Sequence, residues 1–337
     1  MKKIIALTGL FALLVSCASG PSPSVRPAWV DNKHSQYAED KFMVEIGIGA
    51  SLRDAKRNAA AALAQIFKTS IKVETTIQTR YKELSSGGAV DASEETTFDQ
   101  DITQLADQEL VNVNFGQSWT NDLGQVHVIA YIDRQVTANI YRDRIEENNS
   151  TVRNFISKSG DQSSQIRKYA YYDAAYVVAR ANQMLMEQLE IINLPIRKTI
   201  RTPYDINDVR DRRKEAALIM AFMVNIENDV EGKVASVLTD ELTSFGFSID
   251  PGGSLAVEGA VSFEKVELDN DYENVKYYLT INVEDENGIP IVALEDNDRI
   301  SAVSESDAEN RAYLEIEKII KRDLIGKLIK YFDSFVE

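Results

Sequence analysis

The chain contains one cysteine, Cys17, among its 337 residues, and this limits the ways in which it can be stabilised. A single thiol cannot form an internal disulfide, so the fold must rest on packed apolar cores. The composition allows this, because 44% of the residues are hydrophobic and 27% are charged. The length exceeds the roughly 100–200 residues of one domain, so we expect two domains.

The amino-terminal segment has the layout of a cleavable signal peptide. Two lysines precede an apolar run over residues 4–15, and the small residue Ser16 stands directly before Cys17. The run is shorter than the roughly 20 apolar residues that a membrane-spanning helix needs. We therefore predict a signal peptide over residues 1–16 that is removed between Ser16 and Cys17.

Residues 14–17, with the sequence Leu-Val-Ser-Cys, resemble the lipobox of bacterial lipoproteins. The resemblance implies that the Cys17 thiol is diacylated and that its new amino group is acylated after cleavage. Acyl chains such as palmitate contribute roughly 0.8 kcal/mol per buried methylene, so several chains hold a folded body on a lipid membrane. Ala18, in place of an aspartate, favours the outer membrane with the body facing the periplasm. The alternative interpretation is an ordinary buried cysteine after a signal peptide.

Acidic residues are concentrated in the carboxy-terminal third of the chain. Residues 227–337 hold 26 acidic and 10 basic residues, whereas the whole chain holds 53 and 37. This break in charge density predicts a domain boundary near residues 210–226. Because the acidic segment repels phosphate groups, we expect no nucleic-acid partner.

The sequence predicts that the first folded segment, residues 31–140, is a β-α-α-β-β domain. A strand over residues 42–48 alternates apolar side chains on one face, and Ser51 with Asp54 resembles a capping box at the start of a long helix. Alanines at residues 59–62 allow another element to approach that helix closely. The remaining elements are one helix and two strands, predicted over residues 93–110, 111–115 and 126–132.

Four further segments complete the predicted domain organisation. Residues 17–30 contain three prolines and predict an extended tether. Residues 141–196 carry two amphipathic patterns and predict a helical hairpin. Residues 197–215 are rich in arginine and lysine and predict a basic connector. Residues 216–337 predict an acidic domain of helices and strands.

The acidic domain is predicted to contain a mostly antiparallel sheet. Gly246 is well placed to end a helix over residues 229–244, whose Val234, Leu238 and Leu242 face inward. A long helix over residues 307–335 closes the domain. The predicted strands cover residues 216–226, 247–249, 256–266, 276–283, 289–294 and 299–303. The predicted fold class of the whole chain is therefore α+β.

Motifs for nucleotide binding or histidine-based catalysis are weak. Gly47-Ile48-Gly49 resembles the opening of a dinucleotide fingerprint, but Leu52 stands where the third glycine belongs. A tight strand-to-helix turn is the preferred interpretation. His34 and His127 are the only histidines and lie far apart in the sequence, so no zinc site or histidine-based site is expected.

Three acidic stretches, at residues 269–273, 284–286 and 295–298, carry oxygen ligands that calcium would accept. None has the glycine and glutamate positions of an EF-hand loop, so solvated hairpin ends are the preferred interpretation. Ser262 and Lys265 form the one S-x-x-K match, and this match lies in a strand pattern. We expect no catalytic residue, no cofactor and no metal.

Tyr169, Tyr172 and Tyr176 follow one another at helical steps on the second helix of the hairpin. Such tyrosines can anchor a partner protein, and these three form the candidate partner surface. The same spacing is typical of side chains that cover a hydrophobic core. The exposure of the three rings distinguishes the two interpretations.

The amino-terminal part of the chain resembles the Lpp-twenty family of bacterial lipoproteins. The resemblance rests on Pro27-Ala28-Trp29-Val30, on residues 42–49 and on the alanine-rich residues 55–65, and it covers about residues 27–140. It implies an envelope location and an assembly role, without catalytic residues. The strand and helix that end at Gly246-Phe247 resemble periplasmic domains of curli export channels and of activators of cell-wall synthases.

Together these features predict a membrane-anchored envelope lipoprotein that acts as a non-catalytic structural or assembly adaptor. Its expected partners are the lipid membrane, through acylated Cys17, and other envelope proteins. The alternatives are a subunit of an oligomeric export channel and an activator of a cell-wall enzyme.

Overall fold

The computed structural model of the protein describes residues 25–68, 75–85, 112–269 and 271–336. The chain divides into two compact units, which we describe separately. Among the described residues, the first unit takes residues 25–68 and 112–137, and the second takes residues 75–85, 138–269 and 271–336. Each unit combines helices with a sheet, which confirms the predicted α+β class.

The first unit is a three-stranded antiparallel sheet with one long helix on it. The strand order is β1-β3-β2, so the last strand is central. The predicted helix over residues 93–110 lies outside the described residues. The elements are α1 (Ala28–Asp31), β1 (Phe42–Gly49), α2 (Leu52–Lys68), β2 (Asn114–Thr120) and β3 (Val126–Asp133).

Helix α2 lies very close to β1 because two glycines of the strand face it. A Cβ atom added to Gly47 would lie 2.1 Å from the Ala55 carbonyl oxygen and 2.2 Å from the Ala59 nitrogen. A Cβ atom added to Gly49 would lie 2.5 Å from the Ala55 nitrogen. Ala55 and Ala59 are fully buried in this contact. The glycines of the Gly-Ile-Gly sequence therefore serve strand-to-helix packing, as their preferred interpretation predicts.

The opposite face of this sheet is covered by aromatic side chains from the segment that precedes β1. Trp29 is fully buried, and its Nε1 donates a hydrogen bond to Gln117 Oε1 at 3.1 Å. The ring of Tyr37 lies 4.6 Å from the ring of Tyr131, measured between centroids. The predicted tether over residues 17–30 is therefore wrong at its carboxy-terminal end, because burial of the Trp29 side chain holds that end in the fold.

The start of α2 is capped as predicted. Ser51 Oγ accepts a hydrogen bond from the Asp54 backbone nitrogen at 3.1 Å and donates one to Asp54 Oδ2 at 2.7 Å. We expect Ser51→Ala to lower the free energy of unfolding of the first unit by about 1 kcal/mol, because one helical N–H loses its acceptor. Urea unfolding followed by tryptophan fluorescence measures this, since both tryptophans, Trp29 and Trp119, belong to the first unit. The exposed Ser118→Ala is the control, and an equal loss in both variants would contradict the capping role.

The second unit packs helices on one face of a five-stranded mixed sheet. The strand order is β5-β4-β6-β7-β8, where β4 runs parallel to β5 and β6, and the other pairs are antiparallel. The strands are β4 (Ala221–Glu227), β5 (Ser248–Ile249), β6 (Leu255–Val266), β7 (Glu273–Glu284) and β8 (Pro290–Ala302). The helices are α3 (Thr75–Ser85), α4 (Arg134–Gly160, which begins in the first unit), α5 (Gln165–Ile192), α6 (Leu194–Thr199), α7 (Ile206–Ile219), α8 (Lys233–Ser244), α9 (Glu305–Ile319) and α10 (Ile325–Asp333). A π-helical turn, Ile320–Leu324, joins the last two helices.

The stretch predicted as a basic connector, residues 197–215, is largely helical and forms part of α6 and α7. Helix α7 is held in the second unit by Val209 and Ala216, which are both buried. Because α7 continues to Ile219, the strand predicted from residue 216 begins only at Ala221. The hairpin, the connector and the acidic segment thus belong to one compact unit instead of three segments.

The acidic stretch at residues 295–298 was predicted to end a hairpin, and this prediction is wrong. The stretch lies inside β8, where Asp296 pairs with Leu279 and Asp298 pairs with Tyr277 of β7. Among the described strands, β8 is at the edge of the sheet and has a neighbouring strand on one side only. Charged side chains are tolerated there because they remain hydrated and discourage pairing with other chains.

Candidate functional site

A groove of about 370 Å³ runs between α8 and α9 on the second unit. Its apolar lining consists of Val234 and Val237 from α8 with Tyr313, Leu314 and Ile316 from α9. Polar lining residues at its rim include Lys233, Asn310 and Glu317. An open concave surface that is apolar inside and polar at its rim has the character of a ligand or protein contact site. We call it the α8–α9 groove.

Helix α8 is fixed at both ends by local capping. Asp229 Oδ2 accepts a hydrogen bond from the Ala235 nitrogen at 2.8 Å, before a left-handed Gly232 with φ of 65°. At the other end Gly246 has φ of 93°, and the nitrogen of Phe247 donates to the Leu242 carbonyl at 3.3 Å. This Schellman arrangement confirms the predicted helix stop.

The two helices bury one stripe each and leave the groove between their outer sides. The predicted inward residues of α8, Val234, Leu238 and Leu242, are all buried. Helix α9 begins where Ser304 Oγ accepts a hydrogen bond from the Asp307 nitrogen at 3.2 Å. Its Leu314 points away from the core and keeps 58% of its surface exposed. An exposed leucine beside a groove supplies apolar area that a partner can cover.

An ammonium group already occupies one end of the α8–α9 groove. Lys233 Nζ lies 4.6 Å from the centre of the Tyr313 ring and 3.0 Å from Asn310 Oδ1. The same nitrogen forms an ion pair with Glu231. An aromatic face, an amide oxygen and a carboxylate together form a favourable site for a cation.

Carboxylates surround Tyr313 and set the sign of the electrostatic field at the groove. Burial raises the pKa of Tyr313, and the negative charges of Asp229, Glu231 and Glu309 raise it further. Among the described residues, Asp229 Oδ1 is buried and accepts no hydrogen bond. The groove therefore favours positively charged groups over negatively charged ones.

A second constellation, the buried ion cluster, lies in the interior of the same unit. It consists of Arg80 on α3, Asp173 on α5, Arg213 on α7 and Asp333 at the end of α10. Arg80 Nη2 lies 2.8 Å from Asp173 Oδ2 and 2.6 Å from Asp333 Oδ1, and Arg213 Nε bonds to Asp173 Oδ1. Two positive and two negative charges balance, so the cluster joins four helices without a net buried charge.

The protonation of the two aspartates differs because their surroundings differ. Burial alone would raise the pKa of Asp173, but Arg80 and Arg213 outweigh it and hold the pKa below its ordinary value. Burial raises the pKa of Asp333 above its ordinary value, although Arg80 opposes the rise. These shifted groups bond to one another within the core, which indicates a structural role for them.

Sequence reasoning did not find the buried ion cluster. Asp173 offered a signal, because it lies within the apolar stripe of α5 beside Tyr172 and Ala174, and a carboxylate there needs a partner. Arg213 was counted only as part of the basic connector, and Arg80 had no distinguishing pattern.

The prediction that three tyrosines of α5 form a partner surface is wrong for the two that are buried. Tyr169 is fully buried between Phe247 and Phe332, with ring centroids 4.9 and 5.1 Å away, and Tyr172 is also buried. These two rings belong to the hydrophobic core of the second unit, so their burial withdraws them from a partner surface. Tyr176 is half-buried, with the Arg213 guanidinium 5.4 Å from its ring centre.

The two histidines occupy different surroundings within the first unit. His34 Nδ1 lies 3.1 Å from the Tyr37 carbonyl oxygen, in the segment before β1. His127 is buried on β3, with its ring 5.2 Å from the ring of Trp119. Ser262 and Lys265 of the S-x-x-K match lie on opposite faces of β6, as strand alternation requires.

Within residues 25–68, 75–85, 112–269 and 271–336, no three histidine, cysteine, aspartate or glutamate residues are arranged to hold a metal ion. Over the same ranges, no helix has the length and the apolar character needed to span a membrane. The signal peptide, its cleavage site at Ser16 and the lipidation residue Cys17 lie outside the described residues.

Comparison with known proteins shows two structural likenesses at low sequence identity. The secreted protein HP1454 from the human pathogen Helicobacter pylori is similar with 11% identity and a TM-score of 0.42, over 82% of this chain and 96% of that one. A minor lipoprotein from Acinetobacter baumannii is similar with 14% identity and a TM-score of 0.23, over 34% of this chain and 94% of that one. No protein-family model and no curated protein matches the chain, so the resemblance to the Lpp-twenty family stays a prediction.

Proposed function

We propose that this chain is a lipid-anchored envelope protein that acts as a non-catalytic assembly adaptor. The observation that carries the adaptor role is the α8–α9 groove, an open apolar surface with a charged rim on a folded body. The signal-peptide layout of residues 1–16 and the lipobox at Cys17 support export and anchoring, because this layout is typical of exported proteins that are acylated at the cysteine. The outer membrane, with the body in the periplasm, is the proposed location.

The non-catalytic part of the proposal is supported by how the second unit uses its charged groups. Asp173, a buried carboxylate, is bonded through both of its oxygens to Arg80 and Arg213, so it has no free position for a substrate. The groove, in contrast, offers an exposed leucine and a half-buried tyrosine, which are typical of protein contacts.

Anchoring is tested by Cys17→Ala in the full-length chain. We expect the wild-type protein to sediment with membranes and the variant to lose this association, because in this proposal the acyl chains are all carried by Cys17. Mass spectrometry of the amino-terminal peptide should find acyl chains on Cys17 of the wild-type protein only. Equal membrane association of both proteins, without acyl mass, would contradict lipid anchoring.

The adaptor role is tested on the native acylated protein in mild detergent after gentle crosslinking. We expect a monomer or dimer that carries a distinct envelope protein in a constant ratio, measured by light scattering and mass spectrometry. A large closed homo-oligomer without another protein would overturn the adaptor proposal and favour the export-channel alternative.

A further inference from the structure

We infer that the α8–α9 groove binds a segment of a partner protein that carries both apolar and positively charged side chains. This inference rests on the proposed adaptor function and names the chemistry of its partner. Three observations carry it: the apolar floor of the groove, the negative charge at its rim and the ammonium group already held there.

The floor of the groove requires apolar side chains in the partner. Val237 and Tyr313 are half-buried, and Leu314 is 58% exposed, so the three together leave apolar surface in contact with water. Covering that surface is favourable in proportion to the area removed from water. A purely polar partner would leave this surface unmatched.

The rim of the groove requires positive charge in the partner. Four carboxylates, Asp229, Glu231, Glu309 and Glu317, lie on or beside the groove, and the ammonium groups of Lys233 and Lys321 pair with two of them, so negative charge remains in excess. Complementary charges increase the rate of encounter and suppress binding of like-charged partners. A second copy of this chain is a poor occupant because each copy has a net charge of −16, and an anionic membrane surface is repelled for the same reason.

The position of Lys233 shows the contacts that a partner's cation would make. Its ammonium group lies over the Tyr313 ring and beside Asn310, and both groups can also accept the cation of a partner's lysine or arginine. Lys233 also pairs with Glu231, and Glu317 pairs with Lys321, so Glu309 is the rim carboxylate that a second cation can approach. A basic side chain from the partner can therefore lie along the rim or displace Lys233 from the ring.

The test uses the full-length chain and a fluorescein-labelled peptide of leucine and lysine in amphipathic helical order, about 15 residues long so that a helix can form. Fluorescence anisotropy measures its dissociation constant. We expect Leu314→Ser to weaken binding about tenfold, because one apolar side chain no longer becomes buried. We expect Glu317→Lys to weaken binding about fivefold at low salt and much less at high salt.

Two variants on other surfaces provide matched controls. Ile289 is exposed to the same extent as Leu314, 58%, but lies in the turn before β8, so Ile289→Ser should leave binding unchanged. Glu258 is exposed on β6 and points to the opposite face of the sheet from the buried Val257, so Glu258→Lys should match wild type. Lys233→Met should strengthen binding about threefold, because the competing internal cation is removed.

Other results would overturn the inference. A peptide with glutamate in place of lysine that binds equally well would remove the charge argument. Concentration-dependent dimerisation that Leu314→Ser abolishes, measured by sedimentation velocity, would assign the groove to a second copy.

The crosslinking experiment separates the groove inference from the adaptor function. If the crosslinked native protein carries a partner and Leu314→Ser does not reduce the amount of that partner, the groove inference fails and the adaptor function stands. If no distinct partner is found while the peptide still binds, the adaptor function fails instead.

Discussion

The Asp173→Asn variant should lose about 3–5 kcal/mol of the free energy of unfolding of the second unit at neutral pH. Asp173 is the carboxylate that both Arg80 and Arg213 contact, and its side chain is almost wholly buried. Without that charge, Arg213 loses its ion pair and keeps the Tyr169 phenol oxygen at 3.5 Å and the rings of Tyr169 and Tyr176, none of which carries a compensating negative charge. Urea unfolding followed by far-ultraviolet circular dichroism measures the loss.

An exposed ion pair gives the matched control for this substitution. Asp211→Asn makes the same chemical change on α7, where the Asp211 side chain is 60% exposed and lies 3.2 Å from Arg210. The change should alter stability by no more than about 0.5 kcal/mol, because exposed ion pairs contribute little. Similar losses in both variants would show that the buried ion cluster has no special role.

The pH dependence of the two aspartates should have opposite signs. The lowered pKa of Asp173 means that its stabilisation is present above its ordinary pKa of about 4 and is lost as pH falls through the lower folded value. The stability difference between wild type and Asp173→Asn should therefore shrink below about pH 4. The pKa of Asp333 is raised, so wild type should gain stability relative to Asp333→Asn as pH falls from 7 towards 4. Parallel curves for the two variants would contradict this assignment.

Gly47→Ala should destabilise the first unit by about 3 kcal/mol. The new methyl group would lie 2.1 Å from the carbonyl oxygen of Ala55, and the atoms that it meets belong to the backbone of α2. A flexible side chain could move away, but here the whole helix must shift from the sheet. Hydrogen exchange should show a loss of protection in β1 and α2, while the protection of β6 and β7 in the second unit is kept.

Gly160→Ala is the control for the glycine substitution. A Cβ atom at Gly160, the last residue of α4, meets no other atom within 4 Å. This change should be neutral or stabilise the protein slightly, because alanine loses less backbone entropy on folding than glycine does. If the free energy of unfolding of the Gly47→Ala protein lies within about 0.5 kcal/mol of the wild-type value, α2 can shift away from β1 without destabilising the first unit.

These predictions also separate stability from function. The buried ion cluster stabilises the second unit, and the contact of Gly47 with α2 stabilises the first unit. The α8–α9 groove lies on the surface, so substitutions in it should have little effect on folding. Substitutions at Leu314 and Glu317 therefore test binding, because Leu314 is exposed and the Glu317 ion pair with Lys321 is on the surface of α9.

The sequence alone determined the elements whose signals are local. The capping box at Ser51, the inward stripe of α8 and its stop at Gly246 were predicted because each depends on residues within one or two helical turns. The same local signals misjudged residues 197–215 and 295–298, where charged residues suggested a connector and a hairpin end. A run of charged residues shows that a segment is in contact with water, but it does not show which secondary structure the segment adopts. Both an amphipathic helix and an edge strand can expose one side to water while the other side is buried.

Only the tertiary structure decided which distant residues meet. Arg80 bonds to Asp333 across 253 positions of sequence, and Lys233 reaches Asn310 across 77. The buried ion cluster and the α8–α9 groove both arise from such long-range contacts. The periodicity of a helix shows which of its sides is apolar, but it does not show which other helix will lie against it. Which helices become neighbours depends on how the strands between them pair. The ion pairs between distant residues and the groove between two helices therefore form only when the whole unit is folded.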